Sequence, residues 1–120
     1  MYNSLNDANL PELQPGNTEI WYQTKESWEE GHGLGKISID PNDLSKTHIL
    51  LGKIKETSLE KIFQVMQGDI WSPLGEARGL IRSKGMVHTS MSVGDVVVVN
   101  GQVMMVDRVG FKEIKEIANA

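Results

Sequence analysis

Cysteine is absent from this 120-residue chain. That excludes a disulfide scaffold, a thiolate zinc site and a cysteine nucleophile, and it fits a reducing compartment. Aromatic residues are scarce, and no apolar run approaches the roughly 18 residues of a membrane span. The residues after Met1 do not follow the basic-then-apolar order of a secretory signal. A cytoplasmic protein with no membrane partner is expected. With 12 glycines and 4 prolines the chain is neither collagen-like nor low-complexity, and no heptad pattern marks a coiled coil. At 39% hydrophobic residues it suits a single domain, burying about two-thirds of its unfolded surface.

What charge there is lies unevenly. The net value is −4. Up to residue 35, Lys25 alone stands against Asp7, Glu12, Glu19, Glu26, Glu29 and Glu30. Arg78, Arg82 and Lys84 face only Glu76 within residues 71–94. The acidic end repels phosphates, whereas the basic stretch is suited to one anion.

Residues 1–17 are polar and lack apolar periodicity, so they read as an N-terminal arm ahead of a globular core over 18–117. Ile20-Trp21-Tyr22 reads as a first strand. The glycines at 31, 33 and 35, with His32 between them, precede a strand pattern rather than a helix. They match neither the dinucleotide nor the P-loop spacing, and a flexible connection is the favoured reading. Lys36-Ile37-Ser38-Ile39 alternates as a short strand does, Asp40-Pro41-Asn42-Asp43 is a turn, and His48 to Lys55 is a strand with Gly52 inside it.

Two helices are expected next. Thr57 and Glu60 form a capping-box pattern, and Leu59, Ile62, Phe63 and Met66 follow on one helical face, with Gly68 as a left-handed stop. The second helix is placed at Pro73–Lys84, with Ser72 as N-cap, an apolar face of Leu74, Ala77 and Ile81, and Gly85 ending it. Gly75 and Gly79, four apart, suggest close approach by another backbone.

Asp95 to Val106 carries the strongest local signal. Asn100-Gly101 between valine- and methionine-rich runs predicts a type I′ hairpin pairing Val98 with Val103 and Val97 with Met104. Val96, Val98, Val103 and Met105 then share one face, and Val97 and Met104 the other. Both faces are apolar, so each needs a cover. A homo-oligomer, most simply a dimer, is expected with Val97, Met104, Val98 and Met105 near its interface. The N-terminal arm, through Leu5, Leu10 and Leu13, is the competing lid.

Candidate chemistry is sparse. His32, His48 and His88 occupy separate segments without a metal-ligand spacing, so no metal or other cofactor is expected. His88, Ser90, Ser92 and Asp95 have the residue types of a nucleophilic triad. Strand neighbours two apart cannot converge on one substrate atom, so hydroxyls serving the backbone are the better reading. Arg78 and Arg82, followed by Lys84 and His88, place two guanidiniums on one side of a helix, and Trp71 before it offers a stacking plane. Pairing of these arginines with Glu76 or the acidic segment is the favoured, structural reading.

The stretch His88-Thr89-Ser90-Met91-Ser92-Val93-Gly94-Asp95-Val96, the hairpin, and then Val106-Asp107-Arg108-Val109-Gly110-Phe111-Lys112-Glu113-Ile114 resembles the YodL-like domain family. Met104 and Met105 stand where an aromatic pair is expected. The resemblance implies a small accessory protein of phages or other mobile elements, with no catalytic residues to carry over.

The expected fold is α+β, an antiparallel sheet of four to six strands with two helices on one side. A small SH3-like or Sm-like barrel is the alternative. The expected function is a non-catalytic protein-binding or self-associating module. Weak nucleic-acid binding through Arg78, Arg82 and Lys84 is the alternative.

Overall fold

A computed structural model describes residues 1–31 and 39–115. Five strands form one open antiparallel sheet: β1 (Thr18–Gln23), β2 (His48–Ile54), β3 (Val96–Val99), β4 (Gln102–Val106) and β5 (Phe111–Glu113), in the spatial order β2-β1-β3-β4-β5. The edges β2 and β5 do not pair, so the fold is the α+β sheet rather than the closed barrel. Four short helices accompany it: α1 (Lys25–Gly31), α2 (Leu59–Val65), α3 (Gly68–Trp71) and α4 (Arg78–Ser83).

The hairpin has the expected register. Val96 pairs with Met105, Val97 with Met104, Val98 with Val103 and Val99 with Gln102. Asn100 and Gly101 take φ of 52° and 79°, the two positive values a type I′ turn demands. Its two faces enter different clusters. Val97 and Val99 join the main core with Ile20, Tyr22, Ile62, Met66 and Trp71, and Met104 packs against it. Val96 and Met105 join Ile39 and Leu44 on the opposite face, flanked by Trp21, Val98 and Val103.

Both apolar faces are thus covered from within one chain. Val97 is fully buried and Met105 is buried, so neither is available to a second copy. Val98 and Met104 are half-buried. Of the four residues expected at a dimer interface, Val97 and Met105 are thus spent on the chain's own core.

The arm contributes core. Leu5 and Leu13, from two single 3-10 turns (Leu5–Asp7 and Pro11–Leu13), are fully buried in the main cluster. The Leu5 side chain lies where a Cβ on Gly52 would be, which explains the glycine inside β2. Asn6 Nδ2 donates to Leu13 O at 2.8 Å and to Lys53 O at 3.0 Å, tying the arm to that edge strand. Three leucine-sized anchors suffice because the backbone is also bonded to the fold.

The helices differ in detail from the pattern read in the sequence. The N-cap of α2 is Ser58, whose Oγ accepts from Lys61 N at 3.4 Å, not Thr57. Glu56 accepts from the amides of Thr57 and Ser58, which fixes the entry one residue later than a Thr57–Glu60 box. Gly68 has no positive φ and opens α3; its amide donates to Ser90 Oγ at 2.7 Å. The second helix does not start at Pro73. Gly75 at φ +80° interrupts residues 73–77, Ser72 Oγ accepts from Ala77 N at 2.9 Å, and α4 begins at Arg78. Leu74 consequently points outward, 88% exposed. Gly79 admits the Met1 side chain, not a backbone. Gly85, at φ +80°, ends the helix as expected.

The turn at 40–43 forms, with Asp40 Oδ1 accepting from Asn42 N at 2.9 Å. The strand expected over residues 36–39 and the glycine connection around His32 lie largely outside the described residues.

Candidate functional site

Among the described residues, two places hold the side chains singled out in the sequence. The first is a buried network at the end of β1. Asp95, fully buried just before β3, accepts from Gln23 N at Oδ1 (3.0 Å) and from Ser92 N at Oδ2 (2.9 Å). Oδ2 also meets His88 Nε2 at 2.7 Å. The His88 ring stacks on Tyr22 at 4.8 Å and 9°, and on Trp28 at 4.3 Å and 22°. Two near-parallel rings at such distances must occupy opposite faces of the imidazole, so it is held as in a clamp.

His48 lies in the same region and is fully paired. Its Nε2 donates to Gly94 O at 2.7 Å, because a carbonyl only accepts, and its Nδ1 accepts from Thr47 Oγ1 at 2.7 Å. Burial holds its pKa below the usual histidine range, outweighing the opposing carbonyl bond and Asp95. Burial together with Asp95 pushes the Tyr22 hydroxyl well above its usual value, and that hydroxyl donates to Thr89 O at 2.7 Å. Gly94, at φ +97°, has the Gln23 amide where a Cβ would go, and Gln23 Nε2 in turn bonds Val93 O at 3.0 Å.

The two serines do not join this pair. Ser90 Oγ receives the Gly68 amide, and Ser92 Oγ donates to Ser90 O at 2.9 Å. They serve the backbone, as the strand-neighbour argument expects. The His88–Asp95 contact itself was not read from the sequence. The sequence groups His88 with Asp95 among the residue types of a triad, but the strand-neighbour argument does not bring the two into contact. His88 Nε2 is committed to Asp95, and Nδ1 is buried without a partner among the described residues. Both ring faces are covered, and 10% of the side chain is exposed. The arrangement is able to order β1, β2 and the 88–95 segment; it offers no open nucleophile.

The second place is the surface around Arg78. Two clefts of about 350 and 470 Å³ share Arg78 and Thr89 on their walls. The first is floored by Ile81 and Met86 and edged by Arg82 and Val87. The second runs past Asp69, Ser72, Pro73 and Leu74. Gly75 leaves room for the Arg78 side chain to fold back over the turn, with Nε 3.1 Å from where a Cβ would stand. Arg78 and Arg82 are exposed, and neither makes an ion pair among the described residues. Glu76, the partner expected for them, accepts from Leu74 N at 2.7 Å.

Of the five residues grouped as an anion patch, the structure brings together Arg78 and Arg82. Lys84 follows α4, half-buried, and lines neither cleft. Trp71 is corrected: it is fully buried, its Nε1 donating to Thr89 O at 3.1 Å and its ring stacked on Tyr2, so it offers no plane to a ligand. His88 is likewise turned to Asp95, not to the patch. Sequence reading missed the apolar rim: Leu74 and Val87, 88% and 49% exposed, line the clefts that share Arg78. Leu74 would have stood out had Gly75 been read as a break.

No protein-family model, no curated protein and no solved structure matches this chain.

Proposed function

We propose that the chain is a non-catalytic protein-binding module that docks its partner in the groove around Arg78. The observation that carries this reading is that exposed Leu74 and Val87 line the two clefts that meet at Arg78, with two arginines that have no ion-pair partner among the described residues. Exposed apolar side chains clustered around charge are the composition of an interaction surface, and arginine is enriched there. The sealing of His88 between Tyr22 and Trp28 supports a structural role for the His88–Asp95 pair. The accessory role implied by the resemblance to YodL-like domains accords with a protein that acts by binding.

A photo-crosslinking side chain at Leu74, compared with one at Val109, tests this in cells of the source. Both positions are exposed, and Val109 lies in the β4–β5 turn, outside the groove. The reading expects protein adducts at position 74, lost with Arg78→Ala plus Arg82→Ala, and none at 109. Adducts to nucleic acid alone, or equal protein adducts at both positions, would overturn it.

A further inference from the structure

The two clefts differ in chemistry, and the difference describes a ligand. The first has an apolar floor of Ile81 and Met86 with Val87 at its rim, and both arginines edge it. The second is polar, and Asp69 stands in its wall. Guanidiniums without ion-pair partners beside an apolar floor suit an apolar side chain flanked by carboxylates.

Single-stranded nucleic acid suits the surface less well. Among the described residues no aromatic plane for base stacking lies beside the arginines, because Trp71 is buried. Nucleic acid is held by a run of cations; among the described residues, Arg78 and Arg82 are the cations that line the groove.

Resting on the reading of the groove as a docking surface, we infer that its partner is an acidic protein segment carrying an apolar anchor. The anchor enters the cleft over Ile81 and Met86. Its flanking carboxylates engage Arg78 and Arg82, and charge complementarity sets the specificity.

The probe is a labelled peptide of the repeat Glu-Glu-Leu, followed by fluorescence anisotropy at low salt. Two companions replace every leucine by serine or every glutamate by glutamine, and a short labelled oligothymidylate is the fourth ligand. The acidic leucine peptide should bind, with each companion and the oligothymidylate at least about tenfold weaker. Arg78→Ala plus Arg82→Ala should weaken it about tenfold or more, and Val87→Glu likewise, by repelling the carboxylates. Val87 is half-exposed, so this second variant introduces charge without opening the core. Equal binding of the serine companion, tighter binding of the oligothymidylate, or no binding of the leucine peptide would each overturn the inference. Protein adducts at Leu74 alongside a failed peptide would leave the groove as the docking surface and reject only this partner chemistry.

Discussion

His88 Nε2 sits 2.7 Å from Asp95 Oδ2, and the same carboxyl group accepts the amides of Gln23 and Ser92. One buried side chain therefore joins the end of β1 to the loop that enters β3. Its removal leaves two amides and an imidazole without their acceptor.

Asp95→Ala should cost about 3 kcal/mol or more, since two amides and an imidazole lose their buried acceptor at about 1–3 kcal/mol each. Urea unfolding reads it as a lowered midpoint. A loss under about 1 kcal/mol would mean that the network is not a structural hub.

Stability should fall on acidification through His48. Burial lowers its folded pKa, so the unfolded chain takes up a proton first as pH drops below the usual value near 6.5. Stability from this group is full above that value and is lost progressively until the folded pKa is reached. Urea midpoints between neutral pH and about pH 5 should therefore decline. His48→Gln should flatten that decline while lowering stability throughout. An unchanged slope would assign the dependence to another group.

Gly101 and Gly94 both have positive φ, but only one is crowded. Nothing lies within 4 Å of a Cβ at Gly101, whereas one at Gly94 runs into the Gln23 side chain. Gly101→Ala should cost about 1 kcal/mol, from backbone strain alone. Gly94→Ala should cost clearly more, since Gln23 is bonded to Val93 O and to Ser27. Equal losses in denaturation would show that Gln23 yields freely.

Leu5→Ala should cost about 2–5 kcal/mol, as for a buried leucine in a core. Hydrogen exchange should show the arm opening with the β2 edge it covers. Protection of Lys53 and Ile54 unchanged by the substitution would mean that the arm is not part of the core.

The hairpin was legible because Asn-Gly leaves one turn type and the valine–methionine pattern one register. The open sheet followed from short β-rich segments. The arm misled because its three leucines are spaced among asparagines, and only Gly52, across the sheet, records where Leu5 lands. Gly75 hid the true start of α4, since a glycine inside a helical pattern reads as a weak helix residue when it is a break. That same break turns Leu74 outward, so the groove could not be seen from the sequence. Trp71 reads alike whether buried or exposed; its burial depends on core residues distant in the chain, with Tyr2 stacked on its ring.

Arg78→Ala and Arg82→Ala should each change stability by less than about 0.5 kcal/mol, since neither side chain makes an ion pair among the described residues. A larger loss on urea unfolding would show that these arginines hold the fold together.

Amide shift mapping tests the central claim, that the α3–α4 groove is the docking surface, most directly. On titrating the acidic leucine peptide into isotope-labelled protein, the account predicts saturable shifts confined to residues 69–89. No shift anywhere would reject the acidic leucine segment as the partner, and shifts centred instead on the 96–106 hairpin or on the face where Phe63 meets Phe111 edge-on would contradict the docking claim itself.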